Sequence, residues 1–596
     1  MSGDDGLNSS EKRKRRIAVI GISSLMLVAM VAAVAVGLKD IGKHHNSSSD
    51  HDGNNGAVTT SSKSVQSLCQ TTDYRQTCVK TLSHTNSSDP KVLIKAGFEA
   101  AMNKIENALE NSKTIKAAKD DPRTSGALEA CKIVMEYAVI DLKRSVDQIG
   151  EFEFSKLDDY VENMRVWLSG ALTFQESCID AFENTTGNAG EEMKKLLNVS
   201  QQLTTNGLGM ATQLSTLLKS FDISGLGEFG RLLSEKEGNS VIKTKHDEEE
   251  DKFPHWIDMK QRRLLQTPGS EMKADALVAK DGSGQFKTIG EALKQVPVVD
   301  ANKAVTGANK TFVIYIKEGI YDETIVVEPN MAHVMFVGDG PAKTKITGHK
   351  SFSDGFVVLK TATVAVMGSN FVAKDIGFEN SAGAEKHQAV ALLVQSDMSI
   401  FYNCHIDGYK DTLYAHSHRQ FYRHCSISGT IDFILGNAIA VFQNCRLILR
   451  KPLETQSCTI AAHGRINEKE PTGFVLQNCI ISADPAYYPL RHENKAYLGT
   501  PWKKFSRTIF MQSFLDDSIA AEGWKPWMGT FGEDTCFLSE YENRGPGAVE
   551  SNRVKWHGIK KLNATEIQDF TPGKFYGDDK WILLSQIPYE PRMIVV

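Results

Sequence analysis

Three short words decide the fold: Gln388-Ala-Val-Ala-Leu392, Lys410-Asp411-Thr412-Leu413-Tyr414 and Asp432-Phe433-Ile434-Leu435-Gly436. Gln388, Asp411 and Asp432 stand 23 and then 21 positions apart. A second pattern runs through the same region, as Asn403-Cys404, His424-Cys425, Asn444-Cys445 and Asn478-Cys479, with the first three cysteines 21 and 20 residues apart. A fixed period of about 20 residues with short β-branched runs marks a stacked solenoid, most simply a parallel β-helix. Residues one period apart then lie on neighbouring strands about 4.8 Å apart. Gln388, Asp411 and Asp432 are expected to form one column of an amide and two carboxylates. Two carboxylates that close do not both ionise easily, which leaves an acid beside a nucleophile or base. The competing reading is a ladder of turn residues, for which Asp and Asn are ordinary choices.

Outward from this stretch, residues 274–596 read as β throughout. Thr311–Ile316 is an expected strand, and Phe356–Leu359 has the continuous apolar character of a strand buried on both faces. Residues 64–226 read as helical, because Leu157, Tyr160, Val161, Met164 and Leu168 recur at three and four residues. Cys69, Cys78, Cys131 and Cys178 form an even set there, which implies two disulfides; spacing alone allows three connectivities. Between the halves, residues 227–273 are a linker with an acidic run at Asp247–Asp251. Upstream, residues 39–63 are a flexible polar stalk. Ile17–Leu38 is a 22-residue run without charge behind a basic cytoplasmic tail at 1–16, as a transmembrane signal anchor requires. A cleaved signal peptide is the alternative, since Ala33-Val34-Ala35 offers a cleavage word. Either way the remainder is expected in the secretory pathway. Asn86, Asn184, Asn198, Asn309 and Asn563 then stand as glycosylation sequons.

At 596 residues with a net charge of -5, the chain exceeds one ordinary domain, and its charge points to no particular partner. Nucleic-acid patches and phosphate loops are absent from the sequence. So are the Gly-x-Ser-x-Gly elbow, His-Glu-x-x-His and Cys-x-x-Cys, so neither a serine hydrolase nor a metal site is expected, and no cofactor.

The three words, with Gly319-Ile320-Tyr321-Asp322-Glu323 upstream and Leu498-Gly499-Thr500-Pro501-Trp502 downstream, resemble the ordered motifs of plant pectin methylesterases. The helical half resembles that family's inhibitor-like pro-region. The resemblance implies a right-handed parallel β-helix behind an all-α four-helix bundle, with bridges Cys69–Cys78, Cys131–Cys178 and Cys425–Cys445. It implies release of the catalytic half at the dibasic word Arg262-Arg263-Leu264-Leu265. It also implies hydrolysis of pectin (homogalacturonan) methyl esters by an aspartyl esterase, with the pro-region as a partner before processing. Asp432 would be the nucleophile and Asp411 the acid and base. Gln388 and Lys410 would be the oxyanion donors, and Tyr414 and Trp502 flat faces for sugar rings. The expected life history is a single-pass membrane precursor whose mature domain is secreted to the cell wall.

Four positions depart from the family pattern: Lys410 replaces Gln, Thr500 replaces an Arg that partners the nucleophile in the substrate site, Leu435 replaces Phe, and Val358 replaces Thr. Thr500 supplies no bidentate cationic fork. Lys410 is expected to lower the pKa of its neighbour Asp411. Weakened catalysis follows as an expectation, with a catalytically impaired pectin-binding or esterase-regulating wall protein as the alternative.

Overall fold

The computed structural model describes residues 60–115, 121–150, 157–220, 273–303 and 310–595. The tail at 1–16, the apolar run at 17–38, nearly all of the stalk, the linker with Arg262 and Arg263, and Asn309 lie outside the described residues. Among the described residues no helix is long and apolar enough to cross a membrane. The single-pass membrane precursor is therefore corrected: the 17–38 run has the length for a span, but no membrane-crossing helix among the described residues supports it.

The second half is a coil of parallel strands. Each strand pairs with one a full turn away, building sheets of 11, 7 and 8 strands. The seven-stranded sheet carries the site. Its strands are β1 (Ile325–Val327), β2 (Val364–Val366), β3 (Leu392–Val394), β4 (Leu413–Ala415), β5 (Ile434–Gly436), β6 (Cys458–His463) and β7 (Ala496–Thr500). Leu392, Leu413, Ile434 and Ala461 are level with one another and fill the coil interior. Their neighbours Ala365, Leu393, Tyr414, Leu435 and Ala462 form a second level row on the outer face. Strand periodicity of two thus gives one sheet a core face and a working face.

The Asn/His-Cys repeat has a conformational cause. Asn403, His424, Asn444 and Asn478 all have positive φ, from 51° to 57°. Short polar side chains tolerate this left-handed corner best, and the turn drives the next residue, a cysteine, into the interior. There Cys425 and Cys445 are free thiols, not the bridge implied by the resemblance. Each faces a carbonyl of the preceding coil, Cys425 Sγ to Phe401 O at 3.4 Å and Cys445 Sγ to Tyr422 O at 3.5 Å. Phe356–Leu359 is also not a strand. Val358–Lys360 is a short 3-10 turn, and Val357 leaves the coil to pack in the core of the helical half.

That half comprises α1 (Thr60–Cys69), α2 (Arg75–Leu82) and four long helices, α3 (Pro90–Ile115), α4 (Pro122–Gly150), α5 (Leu157–Asp180) and α6 (Ala189–Ser220). Disulfides join Cys69 to Cys78, between α1 and α2, and Cys131 to Cys178, between α4 and α5. Helix α5 has two working stripes. Val161, Met164, Leu168 and Leu172 face the helical core. Asn163, Trp167, Thr173, Ser177 and Asp180, spaced four, six, four and three residues apart along one side of the helix, meet the β-helix.

Candidate active site

Asp411 and Asp432 sit just ahead of β4 and β5, both with positive φ, 63° and 50°. The Asp411 amide donates to Ile431 O at 3.1 Å, and Leu413 pairs with Ile434 two residues later. The two aspartates are therefore level on adjacent coils. A corner residue held left-handed turns its side chain away from the pleat, here toward the outer face beside Tyr414. Such backbone costs free energy and persists where its surroundings over-determine it.

Gln388 does not complete the column as its spacing predicts. It pairs with Lys410, and Ala389 donates its amide to Lys410 O, which puts Ala389 level with Asp411. The cause is one extra residue: Ala391 and Leu392 both donate to Thr412 O, a bulge that shifts the upstream chain by one position. Gln388 nevertheless reaches the site, beside the dyad rather than above it.

Gln388, Lys410, Asp411, Tyr414, Asp432 and Trp502 line one cavity of about 120 Å³. Leu435 adds to its floor, and the Trp502 and Tyr414 rings meet edge to face at 6.5 Å. Thr500 is not in the lining. It is level with Ala462 on β7, 4% exposed, and its hydroxyl has no hydrogen-bond partner. Sequence reasoning missed Thr459, whose hydroxyl donates to Asp432 Oδ1 at 2.6 Å and accepts from the Asp432 amide. It also missed Trp527, in the Gly523-Trp-Lys-Pro-Trp527 word, which closes the cavity; a second tryptophan three residues from a buried one was the available signal.

The two carboxyl groups differ electrostatically. Burial pushes Asp411 up to about 8, with help from Asp432 and Glu183, and Lys410 only partly offsets this. The expected lowering by Lys410 is thus outweighed by desolvation. Asp432 is also raised by burial, but the Thr459 hydroxyl and the charges of Lys410 and Lys525 act against the shift. The arrangement holds a proton on Asp411, while at Asp432 the Thr459 hydroxyl and the two lysines oppose the effect of burial.

The helical half covers this site. Asp180 and Glu183 from α5 and the following turn enter the same cavity lining. Alongside, Ser177 Oγ lies 2.6 Å from His416 Nε2, and Asp141 Oδ2 lies 2.9 Å from His418 Nε2. Asn437 donates to Thr173 Oγ1 at 2.8 Å. Lys503 bonds Glu176 and Asp180 at 2.9 and 2.8 Å. The approach at α5 is close: a Cβ on Gly170 would stand 2.3 Å from Asp141 Oδ2 and 2.6 Å from His418 Nε2.

A family model described as Pectinesterase matches residues 275–579. The chain belongs to the pectinesterase family. A second model, Plant invertase/pectin methylesterase inhibitor, matches residues 63–210, so this pectinesterase carries an inhibitor-like N-terminal region. It is 47% identical over 593 residues to "Probable pectinesterase/pectinesterase inhibitor 21" of Arabidopsis thaliana, covering 99% of this chain and 84% of that protein. It is 45% identical over 590 residues to "Probable pectinesterase/pectinesterase inhibitor 58" of the same plant, covering 97% and 98%. Among solved structures, pectin methylesterase from carrot matches 54% of this chain and 98% of its own, with 42% identity and a TM-score of 0.52. The established reaction is hydrolysis of pectin methyl esters, a carboxylic ester hydrolysis.

Proposed function

We propose that Asp432 attacks the ester carbonyl of a methylated galacturonate unit while Asp411, holding its proton, protonates the departing methoxy group as methanol. Asp411 then takes a proton from the water that cleaves the acyl-enzyme, which frees the Asp432 carboxylate and the product acid. Gln388 and Lys410 donate to the oxyanion, and Trp502 and Tyr414 flank the sugar rings. The observation that carries this reading is the pair of level, buried aspartates of which only Asp432 has its carboxylate held by a hydroxyl, that of Thr459. Position 500 takes no part, and turnover is weakened for want of its cation.

The same proposal reads the helical half as a four-helix, inhibitor-type bundle that covers the groove in cis until cleavage at Arg262-Arg263. The coil is right-handed, as parallel crossovers overwhelmingly are. The working domains are 64–226 and 274–596, with glycans on the exposed sequon residues Asn86, Asn184, Asn198 and Asn563. A second reading, a pectin-binding or esterase-regulating protein without turnover, is favoured by the unpartnered Thr500 hydroxyl. Methanol release from methylated pectin separates the two. The half beginning near Leu264 is expected to be active and the intact chain less so, with Asp432→Asn abolishing the rate. Thr500→Arg with Lys410→Gln is expected to raise it more than either change alone. A folded double variant that releases no methanol leaves the binding reading standing.

A further inference from the structure

Lys503 follows Trp502 on the loop after β7, so it belongs to the catalytic half, yet both of its ion-pair partners belong to the other. Its Nζ lies 2.9 Å from Glu176 Oε1 and 2.8 Å from Asp180 Oδ1, one helical turn apart on α5. Among the described residues, no carboxylate of the β-helix half is paired with it. The same Nζ stands 5.3 Å from the centroid of the Trp502 ring, which faces the cavity of Asp411 and Asp432, and the side chain is 16% exposed. Burial opposes the charge, but Asp180 and Glu176 hold the ammonium above the ordinary lysine range. Departure of the helical half therefore leaves a cation at the edge of the groove with no counter-charge from its own domain. A cation so placed is completed by an anion.

Resting on the pectinesterase reading, we infer that Lys503 recognises the free carboxylate of an already de-esterified galacturonate unit, and that Glu176 and Asp180 occupy this subsite in the intact chain as stand-ins for it. The chemistry of one uronate unit fits the pair of neighbours. Its ring has a face for Trp502, and its carboxylate accepts charge-assisted hydrogen bonds from Lys503. A methyl ester at that position offers a neutral acceptor and no charge. Lys503 is thus a specificity-determining residue, distinct from the oxyanion donors, that directs the enzyme to esters lying near a free acid.

The carrot chain is matched over 98% of its length by about half of this one, so the β-helix fold stands without the helical half. The test therefore uses residues 274–596 carrying Asp432→Asn, which holds esters uncleaved. Calorimetric affinities are measured for the free-acid hexamer of galacturonic acid and for its fully methyl-esterified form. Lys503→Gln is expected to weaken the free-acid hexamer by about tenfold to a hundredfold, the worth of a hydrogen bond to a charged group. The esterified hexamer should stay within about twofold, Lys503→Arg should regain most of the loss, and Lys503→Gln should flatten the salt dependence of acid binding. Equal losses for both ligands would reduce Lys503 to a support for Trp502. No loss for either would reduce it to a clamp between the halves. Failure of the Lys503-bearing protein to bind either hexamer overturns the pectinesterase reading itself, before Lys503 is altered.

Discussion

The two halves of this pectinesterase hold together by different means. Among the described residues of the helical half, the long helices meet through side chains, and two disulfides tie four of the six described helices in pairs. In the β-helix half each coil hydrogen-bonds to the next along three sheets, and all six cysteines are free and buried. A cross-link stabilises chiefly by restricting the unfolded chain. It is most useful where the backbone makes no bonds between elements. Cysteine means a covalent tie in one half and a small apolar filler in the other.

The sharpest test of this contrast replaces one cysteine in each half. Cys131→Ser is expected to cost about 2–5 kcal/mol and to unfold the helical half first. Cys425→Ala removes only buried volume and should cost about 1 kcal/mol. Two resolved thermal transitions, the lower moved only by Cys131→Ser, would support the contrast; equal shifts would break it.

Next in size is the seam between the halves. Gly170→Ala places a carbon where Asp141 and His418 now meet, an overpacking worth about 1–3 kcal/mol. The variant should release the helical half more readily after linker cleavage, raising methanol release in proportion to the freed fraction. Unchanged co-elution of the two halves would show that the contact yields.

The seam should also respond to pH. Desolvation opposes charge on His418, but Asp141, with Asp397, raises its pKa above the ordinary histidine value, against the opposing charge of Arg144. A raised base contributes fully below its unfolded pKa and loses that contribution as pH rises through its folded value. Burial raises Asp180 to about 6. An acid raised in this way binds its proton in the docked state, so rising pH from about 4 to about 6 also weakens docking. The two signs agree: a nicked chain should stay associated in mild acid and separate toward pH 8 by size exclusion. Tighter association at the higher pH would contradict this.

The smallest expected effect lies on the catalytic side alone. A Cβ on Gly464 would stand 2.9 Å from the Trp502 ring. Gly464→Ala should tilt that ring and raise KM several-fold, about 1 kcal/mol, with little change in kcat. A fall in kcat at constant KM would remove Trp502 from substrate binding.

The solenoid was legible because its period repeats in residue types that a corner and an interior each demand. The aspartate pair was legible for the same reason. Gln388 was misplaced because a one-residue bulge changes the register without changing any motif. The seam was beyond reach: Asp141 and His418 stand 277 residues apart in sequence, and no local pattern links them. Thr459 was missed as an ordinary strand threonine whose role exists only once Asp432 lies on the preceding coil.

Because the outer row of the seven-stranded sheet advances one strand per coil, its register survives length changes at the corners and not within the strands. Removing one coil of 21 residues, 412–432, would leave the strands partners and yet delete Asp432 itself. Removing a single residue inside a strand would exchange the interior and outer side chains of that strand up to the next corner. Insertions can therefore collect at the corners, as the segment between β5 and β6 does with its excursion through Arg450–Ser457. The catalytic pair is protected by arithmetic as much as by chemistry.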